Sequence, residues 1–350
     1  MEPIRKRQIV YALSSFLLGI WTFVKVSAIS GPVFEPIIAA CTNPDISVDD
    51  FASKTGYHAY EPMVGFKVFN VLVCLITQFL LELRQTYPAG ILTWGGIMVV
   101  ALPTTVISIH EAGRSGAYGP IRYPIITGLL SQLLGVSVIF PLIWIPSYIF
   151  GEGTRGGSLT NYRIVCSALL SLPAIILTAI IFSAPTDSYL WTICAGILGG
   201  PILALSSAIL WKDASSSLPA TAQNIKRSSR ATKNVYTLLM VVGFVGWLVW
   251  VAIFYKTYGA SIGDLWNDIW IDATGAVAFM TIDTGVLYIG LLIFIAYRGS
   301  ELKALKALLL TPVLGPATAC CLVLKEFEDE TIAKTLHELD SNQADRKKDD

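Results

Sequence analysis

Nine apolar runs, most about twenty residues long and nearly free of charge, divide this chain: residues 8–29, 63–83, 91–110, 123–150, 164–183, 188–211, 235–255, 273–297 and 307–324. A helix of about twenty apolar residues crosses the roughly 30 Å hydrocarbon core of a bilayer. Backbone N–H and C=O groups find no water there, so spans are helices or closed barrels, and runs of this length read as helices. The pattern predicts an all-α, polytopic transmembrane helical bundle of eight or nine spans. One domain covers residues 1–325, and residues 326–350 form an acidic polar tail expected to be disordered. The fourth run is long enough to cross with a tilt, and Pro124, Pro141 and Pro146 give it reasons to kink. Pro312, Gly315 and Pro316 make the last run breakable, hence eight or nine.

Composition agrees: 54% of residues are hydrophobic and 14% charged, with mean hydropathy +0.62. Soluble domains carry roughly a quarter charged residues. The formal net charge is zero, so nothing points to nucleic acid. Lys and Arg concentrate on cytoplasmic loops of membrane proteins. With the N-terminus inside, loops 84–90, 151–163, 212–234 and 298–306 fall on the cytoplasmic side and hold most loop cations, Arg114 and Arg122 being the main exceptions. The first run follows Arg5, Lys6 and Arg7. Val26 and Ala28 fit the small-residue rule of a cleaved signal, but a retained span is the expectation. No internal repeat is visible, which weighs mildly against transporters built from inverted repeats.

Several chemistries lack their motifs. The six cysteines form no C-x-x-C pair and the three histidines are scattered, so neither a zinc site nor a disulfide framework is expected. Asn43 to Asp49 is loosely like the Asp-rich motif of membrane prenyltransferases, but it occurs once and has no second partner to hold magnesium and diphosphate. No Walker A loop or G-x-G-x-x-G opens a helix.

The polar residues within the apolar runs are the functional candidates, because such groups are expensive in a membrane. Asp283 lies roughly ten or more residues from either end of the eighth run. A carboxyl there is either functional or a helix-packing hydrogen bond, with Thr281, Thr284, Gln78 or Gln132 as partners in the second case. Glu111 and Arg114 share a helical face if the third helix continues past His110. They form either a cavity-facing acid held by a guanidinium or an ion pair at the membrane surface. Gln132 is either a site residue or an amide joining two helices. Asp272 stands three turns before Asp283, at the mouth of the span, where a solvated surface acid is the plainer reading.

The order Glu111-x-x-Arg114, Pro124, Gly128, Gln132, Gly135 and Pro141-Leu142 resembles fungal integral-membrane terpene cyclases of meroterpenoid biosynthesis, of the ascofuranone, ascochlorin and macrophorin type. Phe279 to Asp283, Gly315-Pro316-Ala317 and the acidic stretch Glu326 to Glu330 occupy the places of that family's late motifs. The resemblance covers roughly residues 109–147 and 278–330. Ala117 after Gly116, Ile143-Trp144 after the Pro-Leu pair, and Met280 depart from the pattern.

That resemblance implies an enzyme that protonates a terminal epoxide or alkene of a farnesyl-bearing aromatic, whose chain then closes on the cation. Burial favours the neutral, proton-donating form of a carboxyl. Asp283 and Glu111 are the implied catalytic acids, and Arg114, Gln132 and Asp272 the supporting residues. No cofactor and no metal are implied. The implied partners are a lipidic prenylated substrate, membrane lipid, and a prenyltransferase and epoxidase of the same pathway. The implied location is the endoplasmic reticulum. A transporter or receptor-like protein using the same acids for proton or ligand coupling is the reading from another class, and a structural membrane protein a third.

Overall fold

The computed structural model describes residues 3–42, 67–114, 117–151, 159–186, 188–199, 221–272 and 275–349. The Asn43–Asp49 stretch, the sixth apolar run beyond Gly199 and the first part of the basic loop lie outside these residues. The described residues form helices and no strands. These are α1 (Pro3–Thr42), α2 (Lys67–Gln85), α3 (Ala89–Gly113), α4 (Pro124–Leu134), α5 (Val136–Phe150), α6 (Asn161–Ser183), α7 (Tyr189–Gly199), α8 (Ala222–Tyr258), α9 (Ile262–Trp270), α10 (Gly275–Arg298), α11 (Glu301–Leu314) and α12 (Pro316–Asp349). Five are long and apolar enough to cross a membrane: α1 over Arg5–Ile29, α3, α6, α8 and α10.

α3 and α10 pack side by side at the centre. Thr284 donates to the Thr93 carbonyl in their N-terminal halves, and Arg298 donates to Glu111 at their C-terminal ends, 2.7 Å away. Contacts at both levels in this order make the two helices parallel. The sequence reading, with a crossing fourth span, placed their C-terminal ends on opposite sides.

The difference arises in the fourth run, which folds back. Gly135 holds φ 91° and ψ 139°, a region that side chains with a Cβ rarely adopt. It divides the run into α4, eleven residues and about 16 Å long, and α5, about 22 Å long; neither arm spans about 30 Å. Pro124 starts α4, where its missing N–H is harmless. A π-turn at Phe140–Trp144 bends α5 around Pro141. The two open ends meet: a Cβ on Gly151 would lie 3.6 Å from the Tyr118 ring. Tyr297, beside Arg298, donates to the Ile149 carbonyl. The fourth run is therefore a re-entrant hairpin with its tip inside the bundle.

The ninth run does the same. Gly315, at φ 80°, separates α11 from α12, and Pro316 starts the returning arm. Lys306 pairs with Glu326 at 2.5 Å, and Lys303 pairs with Glu330, zipping the two arms at their open end. Residues 326–349, read from sequence as a frayed tail, continue α12, and Glu328 is buried.

A repeated arrangement emerges that sequence inspection does not show. Each central helix, α3 or α10, is followed by a hairpin dipping in from the same end. α1 packs on α10 and the first hairpin, where Ser15 donates to the Pro141 carbonyl at 2.6 Å and Gly19 lets Leu142 approach. α8 packs on α3 and the second hairpin, where Thr318 donates to the Met240 carbonyl at 2.9 Å and Gly243 lets Ala317 approach. A Cβ on Gly243 would stand 2.5 Å from that of Ala317, so a glycine is needed there.

Both hairpins open at the end that also holds Arg7, Lys226, Arg227, Arg230, Lys233, Lys303 and Lys306. Arg114 and Arg122, exceptions while the fourth run was read as a span, now lie at this basic end. Arg84 moves to the far end, where it donates to the Ile181 carbonyl at 2.9 Å. Cysteines replacing Tyr118 (72% exposed) and Tyr162 (50% exposed) are expected to react with an impermeant maleimide from the same face of sealed microsomes. Labelling from opposite faces would restore the crossing span.

Candidate active site

An open-sided cavity of about 1100 Å³ lies between α1, α2, α3, the tip of the first hairpin, and α10. That is at the upper end of the range of small-molecule sites, roughly 300–1,000 Å³. Its wall is mainly apolar and aromatic, with Phe79, Trp94, Phe140, Trp144 and Phe279 among the lining residues. Phe140 and Trp144, one helical turn apart on α5, stack with centroids 5.0 Å apart. Phe79 and Phe279 meet edge to face at 5.4 Å. Ring faces of this kind attract a cation. Phe23 on α1 and Leu133 at the hairpin tip line the cavity yet are 46% and 67% exposed, so the chamber has an apolar rim on the outside of the bundle.

Asp283 is buried and lies on the cavity wall. It sits in the middle of α10 because one helical face, with Met280, Val286 and Leu287, packs inward. The hairpin tip meets it. The Ser137 hydroxyl donates to Asp283 Oδ1. A Cβ added to Gly135 would lie 3.5 Å from Oδ1. Ser137 belongs to the first turn of α5, so the N-terminal end of this helix stands beside the acid. Gln132, three residues before Gly135 in the chain, lines the same cavity, as do Thr127 and Ser131.

Glu111 and Arg114 are elsewhere. α3 does continue past His110, to Gly113, but both side chains point into a second buried cluster. Arg114 Nε donates to Glu111 at 3.0 Å, and Arg298 Nη1 donates to the same oxygen at 2.7 Å. Arg114 Nη2 donates to Glu328, and Arg298 Nη2 lies 3.6 Å from it. Two carboxylates and two guanidiniums make the cluster neutral and tie α3, α10 and α12 together at the basic end. Beside it, His110 Nε2 lies 2.7 Å from Ser167 Oγ, and Arg163 donates to the Ile109 carbonyl at 3.0 Å. Arg298 is fifteen residues beyond Asp283 on α10, about 22 Å along the axis. None of the four ionic residues lines the cavity.

The structure therefore brings Asp283 and Gln132 together and leaves Glu111 and Arg114 apart from them. Asp272 joins neither. It is exposed, precedes α10 and does not line the cavity, and its N–H closes the end of α9 on the Asn267 carbonyl at 3.0 Å. The helical spacing that put it on the face of Asp283 does not apply outside the helix. Sequence reasoning missed Ser137, Arg298 and Glu328. Ser137 stands two residues after Gly135, and only the knowledge that this glycine turns the chain back would have drawn attention to it. Among the described residues no cluster of His, Cys, Asp and Glu has the makings of a metal site. Comparison with protein-family models, with curated proteins and with solved structures finds no match.

Proposed function

We propose that the protein is a membrane-embedded terpene cyclase acting on a prenylated, farnesyl-type aromatic or its epoxide. The observation that carries this reading is a single buried acid, Asp283, set in the wall of a large cavity lined with aromatic rings. An acid-started cyclisation needs a proton donor, a water-poor chamber that fits the folded chain, and ring faces to stabilise the travelling cation. Asp283 gives its proton to the epoxide oxygen or to the terminal alkene. As the C–O or π bond opens, the next alkene supplies the electron pair for the new C–C bond. The last cation loses a proton, so the product has the mass of the substrate. Gln132 is placed to orient the substrate. Glu111 and Arg114, which the sequence resemblance put at the reacting centre, hold the helices that frame it.

The natural setting of this reading is the endoplasmic reticulum, where membrane lipid delivers the substrate and a prenyltransferase and an epoxidase supply it. With the basic end in the cytoplasm, Asp283 lies beyond the hairpin tip, nearer the other face. Microsomes containing only this chain are expected to convert a linear epoxyfarnesyl phenol to a cyclic isomer of equal mass. A panel of linear prenylated aromatics, with and without epoxide, that yields no isomer would overturn the proposal.

One observation favours a second reading, a transporter. Two helix-plus-hairpin units repeated in parallel, with a discontinuous helix pair meeting a buried acid, are features of transporter architecture. Solute counterflow in proteoliposomes, without any isomer, is the result that would select it.

A further inference from the structure

We infer that Ser137 is a positioning residue for Asp283, carried to it by the re-entrant hairpin. This rests on the reading of Asp283 as the reacting acid. Three observations converge on the contact. The Ser137 side chain is fully buried, and its hydroxyl donates to Asp283 Oδ1. Gly135 adopts the positive φ that turns α5 toward α10 and keeps the space beside Oδ1 free of a Cβ.

The physical consequence is orientation. A carboxyl at mid-helix has freedom about its last torsion, which is broad. The Ser137 hydroxyl fixes one oxygen against the hairpin. The carboxyl is then held in a defined pose on the cavity wall. Ser137 thus acts through Asp283 and need not touch the substrate.

The test compares Ser137→Ala, Ser137→Thr and Ser15→Ala with the full-length wild type in membranes. Ser137→Ala removes the hydroxyl donor in a nearly isosteric way. It is expected to lower kcat for the epoxyfarnesyl phenol by about 10–100-fold, the usual effect of losing an orienting partner, with KM little changed. Ser137→Thr, which keeps the hydroxyl, is expected to recover most of kcat. Ser15→Ala removes a buried hydroxyl on α1 that meets the Pro141 carbonyl without touching Asp283, and should leave kcat within a few-fold of wild type. Infrared difference spectra against Asp283→Asn provide a readout independent of turnover. The Asp283 carboxyl band should shift in Ser137→Ala, return in Ser137→Thr and stay put in Ser15→Ala. An unmoved band in Ser137→Ala, or equal effects of Ser137→Ala and Ser15→Ala, would overturn the inference. If the wild type converts no substrate, the cyclase reading falls, and the infrared comparison still decides whether Ser137 holds Asp283.

Discussion

Asp283→Asn is expected to abolish formation of the cyclic isomer while the protein stays folded. The substitution keeps size and shape and leaves a carbonyl oxygen to accept from Ser137, so the hairpin tip retains its hydroxyl contact. What is lost is the transferable proton. Positioned acids contribute about 10²–10⁴ in rate, and an acid that starts the reaction belongs at the upper end of that range. The measurement is isomer formed per unit of folded protein in microsomes, with folding read by size-exclusion chromatography in detergent. Asp283→Glu, which keeps the acid but pushes it toward Ser137 and Gly135, is expected to retain a small part of the activity. Wild-type turnover by Asp283→Asn would remove this residue from the chemistry and leave the cavity without its proposed donor.

The depth of Asp283 in an apolar run made it legible from sequence, because a lone carboxyl at mid-span has few innocent explanations. The helical class was legible for a similar reason, since each run carried its own length and hydropathy. The path of the chain was not. An apolar run of 28 residues looks the same whether it crosses once or dips and returns. The choice here turns on one backbone torsion at Gly135 and another at Gly315. Both glycines occur in the motifs that suggested the family, but their role as hairpin tips is visible only in three dimensions. Reading the first hairpin as a span reversed the sidedness of the 84–90 turn and of α3, and manufactured the two misplaced arginines, Arg114 and Arg122.

Partnership at long range was likewise hidden. Glu111 and Arg114, three residues apart, were an obvious pair. Arg298 looked like the flank of a span, and Glu328 like one acid in a solvated stretch. Only the return of α12 along α8 and α11 brings Glu328 down to the two arginines. Asp272 shows the opposite failure. Its periodic spacing from Asp283 was real in sequence but was interrupted by the end of α9, so a regular interval did not become a shared face.

Glu111→Gln separates the ionic cluster from the active site. In the structure Glu111 accepts from both Arg114 and Arg298, and its side chain is 1% exposed. Replacing it with a neutral amide leaves two buried guanidiniums facing the single carboxylate of Glu328. Breaking a buried ion pair by removing one partner typically costs about 3–5 kcal/mol, because the remaining charge cannot be resolvated. The expected result is a large fall in the yield of folded protein and in the temperature at which it aggregates, with Glu328→Gln behaving alike. Pairing Glu111→Gln with Arg298→Gln restores the charge balance and is expected to recover part of the loss, giving a coupling that a double-mutant cycle reads directly. Whatever Glu111→Gln protein does fold should retain turnover, since Asp283 lies about 22 Å along α10 from Arg298 and Glu111 does not line the cavity. A stable but inactive Glu111→Gln protein would reverse the assignment. It would make Glu111 the proton donor and reduce Asp283 to a buried packing residue.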